Sequence, residues 1–254
     1  MLALLLGLTA AAANVLGGLL IARRQWSRDY LKYFVALGAG FMLATAILEM
    51  IPESVELQSQ FTIYLPLRSY YFGGTTIVFA LVLTGYFLVH FFEHTVAPHF
   101  HFGEETHHAE VSHAHAGYAA LLGLVIHTFF DGVAIASGLL VSTWLGGVIF
   151  IAIFLHKIPE GFTISSLMLA SGQSSRVALA SSAILGAATL GGMALMFAIR
   201  SAVADALPFS AGVTLYVAAS DLIPEVNREP GPGMAGLVFV GVAILLLLKA
   251  AFHM

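Results

Sequence analysis

"WLGGVIFIAIFLHKIPEGFTISSLM", residues 144–168, reads as a membrane-spanning helix interrupted by chemistry. About 20 mostly apolar residues are what an α-helix needs to cross the hydrocarbon core of a bilayer. Yet His156, Lys157, Pro159 and Glu160 stand in the middle of this run. Ionisable groups at that depth are costly, and they mark function more often than packing. An earlier stretch, "VIHTFFDGV" (residues 125–133), repeats the pattern of a histidine, three residues, an acid and a glycine.

Composition points the same way. The 254 residues are 59% hydrophobic and 9% charged, where a soluble domain carries about 25% charged residues. The chain is therefore expected to be an all-α integral membrane protein, with the lipid bilayer as its solvent. It has no cysteine, so it forms no disulfide and offers no thiolate ligand. A net charge of −4 and the lack of any nucleic-acid-binding motif argue against a nucleic-acid partner. Met1–Ala22 is uncharged, and Arg23, Arg24 and Arg28 follow it. A signal peptide places its positive charge before the apolar run, so this segment is read as a retained first helix.

Eight spans are predicted, at roughly 2–22, 31–52, 72–93, 118–141, 144–168, 176–199, 207–227 and 234–253. The fourth and fifth are joined only by "VSTW" and form a hairpin. With both termini outside, inner segments hold Arg23, Arg24, Arg28, Lys32, Arg176 and Arg228, and outer ones hold Arg68, Arg200 and Lys249. That bias favours the orientation under the positive-inside rule. The third loop, "HTVAPHFHFGEETHHAEVSHAHAG" (94–117), then faces the cytoplasm. It carries His94, His99, His101, His107, His108, His113 and His115, seven histidines in 22 residues. So polar a segment is expected to be disordered, and such tracts capture divalent metals loosely.

Ile-Pro-Glu occurs at 51–53, 158–160 and 223–225, and "LEMIPE" (48–53) resembles "SDLIPE" (220–225). These two motifs sit on spans expected to run in opposite directions, the mark of an inverted repeat. The predicted organisation is 1–93 (first repeat), 94–117 (loop), 118–168 (central hairpin) and 176–254 (second repeat), a 3+2+3 scheme.

His127 and Asp131 are four residues apart, as are His156 and Glu160. Residues i and i+4 share a helix face, so each pair can point at one cation. Both pairs lie near mid-span on antiparallel helices. Two imidazoles and two carboxylates suit a borderline dication such as Zn²⁺, and the two negative charges offset its own. Pro159 lacks an N–H and frees the carbonyl of Leu155, and Gly132 and Gly161 permit close helix approach.

On "HTFFDG", "HKIPEG", "LYVAASDLIPE" (215–225), the histidine-rich loop and eight spans, the chain resembles the ZIP (Zrt-/Irt-like protein) family of divalent-metal transporters over essentially its whole length. The resemblance implies metal import toward the cytoplasm, with zinc the commonest substrate and Fe²⁺, Mn²⁺, Co²⁺ or Cd²⁺ as further ones, and no organic cofactor. It implies a transport domain moving against a scaffold, and it carries the primary site onto His127, Asp131, His156 and Glu160. Many members have an adjacent second metal position. Its ligands would fall here on Thr128 and Lys157, with a further acid on the sixth span, which has none. Lys157 is therefore expected to stand in for the second cation, pairing with Asp131 or Glu160 and leaving one intramembrane metal per chain. Glu49 and Glu53 at one end, and Asp221 and Glu225 with His90, Glu93 and His94 at the other, fit a transport path.

The residues fit two other classes poorly. An intramembrane metallohydrolase needs H-E-x-x-H and an open coordination position, and neither motif supplies them. A haem-binding protein with His127 and His156 as axial ligands gives no reason for the paired acids. Apolar outer faces fit lipid or a second copy equally, which leaves a homodimer open. The expected location is a cell membrane, the bacterial inner membrane.

Overall fold

The computed structural model describes residues 1–22, 28–62, 73–95, 114–228 and 231–251. Loop residues His99, His101, His107, His108 and His113 and the basic pair Arg23 and Arg24 lie outside them, and His115 is described in its backbone alone. Among the described residues the chain is all-helical, with eight helices long and apolar enough to cross a membrane.

They are α1 (Leu2–Ala22), α2 (Arg28–Thr45, continuing through a π turn Ala46–Met50 into Ile51–Thr62), α3 (Gly74–Thr95) and α4 (Ala114–Val141). Then come α5 (Thr143–Ala170), α6 (Ser175–Ala198), α7 (Val203–Tyr216, a π turn Val217–Leu222, then Ile223–Asn227) and α8 (Pro232–Ala251). The second helix outruns its expected end at residue 52 by nearly three turns, because "SVELQSQ" is polar but helix-forming. The fourth begins at Ala114, so the last residues of the predicted loop are helical.

Helix ends have local causes. Ser142 separates α4 from α5, and its hydroxyl accepts the N–H of Leu145 at 3.1 Å, an N-cap. Gly172, at φ 83°, turns the chain out of α5. Ser174 then caps α6 through Val177. Within the spans, some hydroxyls bond back one turn, as Thr45 does to Phe41 and Ser54 to Met50, which satisfies those donors inside the helix.

Both π turns immediately precede an Ile-Pro-Glu, and each is closed by the same i→i−5 bond, from Ile51 N–H to the Ala46 carbonyl and from Ile223 N–H to the Ala218 carbonyl. A proline ring clashes with the carbonyl four residues back. A wider turn there accommodates it, and the turns carry Glu49 and Asp221.

Helices α1, α4, α5 and α6 pack into one group, and α2, α3, α7 and α8 into another, with α2 against α5 and α4 against α7 joining the two. Four crossings bring backbones into contact through reciprocal glycines. A Cβ on Gly161 would lie 1.9 Å from the Asn14 carbonyl, and one on Gly17 would lie 2.1 Å from that of Ile158. The α4–α6 crossing repeats this with Gly132 against the Thr189 carbonyl (2.0 Å) and Gly192 against that of Phe129 (1.9 Å). Gly40 and Gly241 join α2 to α8 on the carbonyls of Val238 and Leu37, and Gly212 and Gly85 join α7 to α3 on those of Val82 and Phe209. Only hydrogen fits at these eight positions, so helices approach to packing distances that larger residues forbid. The crossings match in register: Leu37, Gly40, Glu49 and Glu53 each stand 172 residues before Phe209, Gly212, Asp221 and Glu225. Val82 and Gly85 stand 156 before Val238 and Gly241.

Outward faces are apolar. Phe79, Leu83, Phe87 and Phe91 recur every four residues along α3, and Phe239, Leu246 and Leu247 stand out from α8. That is the surface a bilayer requires.

Candidate metal centre

The α4–α5 hairpin places His127, Asp131, His156 and Glu160 so that one ligand atom from each lies within 4.8 Å of the others. Among the described residues this is the single such group of histidines and acids. The glycine after each acid sets the geometry, because α1 meets Gly161 and α6 meets Gly132 at backbone contact, pressing both motifs inward.

Asp131 is the hub. Its Oδ2 is 3.2 Å from His127 Nε2, 3.3 Å from His156 Nε2 and 2.6 Å from Lys157 Nζ. Its Oδ1 is buried without a hydrogen-bond partner. His156 holds its other ring nitrogen, Nδ1, 3.2 Å from the Ala152 carbonyl. A carbonyl only accepts, so Nδ1 carries a proton. Asp131 Oδ1, buried beside the two imidazoles and without a hydrogen-bond partner, is an oxygen that a cation completes.

Lys157 is fully buried, at 0% exposure, and its Nζ lies 2.5 Å from Glu160 Oε2 as well as against Asp131. Thr128 donates its hydroxyl to the other Glu160 oxygen, Oε1, and lies 3.4 Å from Lys157 Nζ. The two positions that follow the histidines, 128 and 157, therefore both turn into the centre. With the ammonium charged, the two carboxylates and one lysine leave a net charge of −1 for an incoming ion.

The remaining predicted residues lie outside this foursome. Glu49 is buried and 2.8 Å from Lys249 Nζ. Glu53 is half-buried and within electrostatic reach of Glu49, Glu56 and Lys249. On α3, His90 and His94 stack with ring centroids 4.0 Å apart. Glu93 accepts the Tyr216 hydroxyl at 2.9 Å. Asp221 interacts electrostatically with Glu93 and with His127, linking that end to the centre. Glu225 pairs with Arg228 at 3.4 Å. Reading the sequence missed Tyr216, and also Tyr86 and Ser220, whose oxygens are 2.8 Å apart. The two tyrosine rings pack edge-on at 5.0 Å, and nothing in their spacing singles them out from other buried aromatics.

The haem reading meets a steric objection. The His127 and His156 rings are 5.7 Å apart, edge to face, with Asp131 Oδ2 within 3.3 Å of both, which leaves no room for a macrocycle between them.

Comparison with known proteins gives one consistent result. The sequence pattern of the family described as ZIP zinc transporter matches residues 1–120 and 103–249. Zinc transporter ZIP9 of Micropogonias undulatus is 27% identical over 274 residues, covering 88% of this chain and 86% of the relative. Zinc transporter ZIP9-A of Xenopus laevis is 27% identical over 287 residues, covering 96% and 93%. Zinc transporter ZIP5 of Mus musculus is 32% identical over 133 residues, which are 49% of this chain and 25% of the relative, so the match spans about a quarter of that longer protein.

Proposed function

The chain belongs to the ZIP zinc transporter family, and from that premise we propose that it carries divalent transition-metal ions across a membrane toward the cytoplasm, with zinc the foremost substrate. The observation that carries the proposal is the buried quartet of His127, Asp131, His156 and Glu160, with its orphaned Asp131 Oδ1. Fe²⁺, Mn²⁺, Co²⁺ and Cd²⁺ share the donor preference closely enough to compete.

In this reading Lys157 supplies the cation that the empty centre lacks. Two buried carboxylates facing each other without a counter-charge are expensive. The ammonium offsets them, and an arriving metal takes over the same oxygens as the lysine withdraws. One metal per chain then occupies the centre, and no second metal sits at Thr128 and Lys157.

The matched crossings and matched π turns support a 3+2+3 inverted repeat, with α1–α3 related to α6–α8 and α4 to α5. The α1/α4/α5/α6 group carries the site, and the other group provides the walls past which it moves. Glu49 and Glu53 mark the outer mouth, and Glu93, Asp221 and Glu225, with His90 and His94, the inner one. Both termini face outward, and the loop histidines, 99, 101, 107, 108, 113 and 115, gather metal on the cytoplasmic side of a bacterial inner membrane.

The test is uptake of radioactive zinc into proteoliposomes, with the other four metals as competitors. His127→Ala, Asp131→Ala, His156→Ala and Glu160→Ala are each expected to bring uptake to background while the protein still reaches the membrane. Near-normal uptake in any two of them would remove the centre from the transport path.

A further inference from the structure

Lys249 lies in the last turn of α8, and its ammonium reaches two atoms of the α2 π turn. It is 2.8 Å from Glu49 Oε1 and 3.2 Å from the Leu48 carbonyl oxygen. Pro52 has no N–H, so the Leu48 carbonyl lacks its α-helical donor. The lysine therefore serves a stranded carbonyl and a buried carboxylate together.

The register of the helix crossings shows what stands in its place elsewhere. The 156-residue interval that matches Val82 to Val238 and Gly85 to Gly241 also matches Glu93 to Lys249. The 172-residue interval that matches Gly40 to Gly212 also matches Glu49 to Asp221. At one end of the molecule the α3/α7 pair thus places two carboxylates, Glu93 and Asp221, within electrostatic reach of each other. At the other end the equivalent α8/α2 pair brings a lysine to a carboxylate. The same backbone frame holds an acid and an acid at one mouth, and an acid and its own counter-cation at the other.

We propose that Lys249 is a tethered cation that fills the place a divalent metal ion takes on Glu49, so that metal passes the Glu49 end by displacing this ammonium. The proposal rests on the transport reading above for its meaning in the cycle, but not for the contact itself. Magnitudes favour displacement over a fixed strut. The Lys249 side chain is 36% exposed and lies at a helix end. Glu49 is fixed in the π turn with its side chain only 9% exposed, so the lysine is the partner that can swing away, and a dication attracts that carboxylate more strongly than a single charge does. Lys157, wholly buried between two carboxylates, is the contrasting case. Glu53, one turn beyond Glu49 and within reach of the same lysine, offers a second oxygen donor once the ammonium has moved.

Two measurements on the full chain test this. In the first, Zn²⁺ binding to purified protein is measured by equilibrium dialysis. Lys249→Glu reproduces the acid pair of the other end and is expected to bind one more Zn²⁺ per chain than the unmodified protein. Adding Glu49→Gln should abolish the gain. In the second, uptake kinetics are measured for Lys249→Gln, a variant gentle enough to fold if Lys249→Glu does not. Losing the competing cation on Glu49 should lower the KM for Zn²⁺ about threefold to fivefold. The drop should vanish in the Glu49→Gln/Lys249→Gln double variant. An unchanged KM and an unchanged Zn²⁺ count would make Lys249 a strut for the π turn and overturn the proposal. So would a KM drop that persists without Glu49. If unmodified protein takes up no zinc, the transport reading fails, and the dialysis arm still decides the role of Lys249.

Discussion

The two halves of the central hairpin share a frame and differ in chemistry. Twenty-nine residues separate His127 from His156, Phe129 from Ile158, Asp131 from Glu160 and Gly132 from Gly161. Each member of a pair does the same structural work: the glycine takes a crossing helix and the acid faces the centre. The residues between do not match. Thr128 stands against Lys157, and Phe130 against Pro159. One half gives a neutral hydroxyl donor, and the other gives a full positive charge to the same Glu160. A repeated backbone therefore sets where groups point, and single substitutions within it set the charge the centre carries.

The strongest way to break the comparison is to attack what the halves share. A Cβ at position 132 or 161 would stand about 2 Å from a backbone carbonyl that cannot step aside. Overpacking of a tight core costs roughly 1–3 kcal/mol even where side chains can adjust, and here a backbone must move. Gly132→Ala and Gly161→Ala are expected to lower the thermal unfolding temperature of the detergent-solubilised protein by many degrees, and to similar extents. Gly147, whose Cβ would meet nothing within 4 Å, is the control, and Gly147→Ala should leave unfolding unchanged. Tolerance at Gly161 alone would mean that the two crossings are not equivalent.

The next test attacks what the halves do not share. Lys157→Met leaves Asp131 and Glu160 without their counter-charge, and stranding one partner of a buried ion pair costs roughly 3–5 kcal/mol. Thr128→Val removes the hydroxyl's bond to Glu160 and a long one from Lys157, worth about 1.5–3 kcal/mol together, and strands no charge. The metal-free Lys157→Met protein should be less stable than the Thr128→Val protein. Added Zn²⁺ should restore much of the loss in the lysine variant and little in the threonine variant, read as the zinc-induced rise in unfolding temperature. The exchange variant Thr128→Lys/Lys157→Thr sharpens the point. Thr128 Oγ1 is only 3.4 Å from the ammonium, so a lysine offered from α4 should recover part of the stability. No recovery would tie the charge to α5 and its proline.

The central quartet could be read from residue order because helical spacing is a strong constraint, and i,i+4 pairs at equal depth on a hairpin have few other places to go. Gly132 and Gly161 were legible for the same reason, being adjacent to the acids. Their partners Gly17 and Gly192 were not, since they are two among 25 glycines in a sequence where small residues are common. Lys157 projects about 100° around the helix from His156, so its direction alone says little. Its long flexible stem carries the charge back to Asp131. Lys249 near the end of a last apolar run reads as an ordinary interfacial lysine, and only the fold brings it to a glutamate two hundred residues earlier. The π turns left no sign beyond the repeated Ile-Pro-Glu.

The smallest expected effect concerns the end that carries two acids. Tyr216 donates its hydroxyl to Glu93, and its place in the repeat is held on α2 by Ala44, 172 residues earlier. The phenol is thus an addition peculiar to the Glu93–Asp221 end. Tyr86, packed on its ring and bonded to Ser220, extends the contact along α7. With Glu93 engaged, α3 is tied to α7 directly beside the π turn that carries Asp221. Tyr216→Phe keeps the ring, its edge-on packing against Tyr86 and its volume, and removes one bond worth about 1 kcal/mol. Stability should fall by no more than a few degrees. On the transport path proposed above, the phenol and the metal share the Glu93 carboxylate, so transport should respond differently. Freed of the hydroxyl, Glu93 should hold an exiting ion more tightly, and zinc uptake should saturate at a maximal rate lowered by about twofold to fivefold, with KM changed less, the range that about 1 kcal/mol allows. An unchanged maximal rate in Tyr216→Phe would show that the bond only joins helices, and that the two ends differ in packing rather than in how they handle the ion.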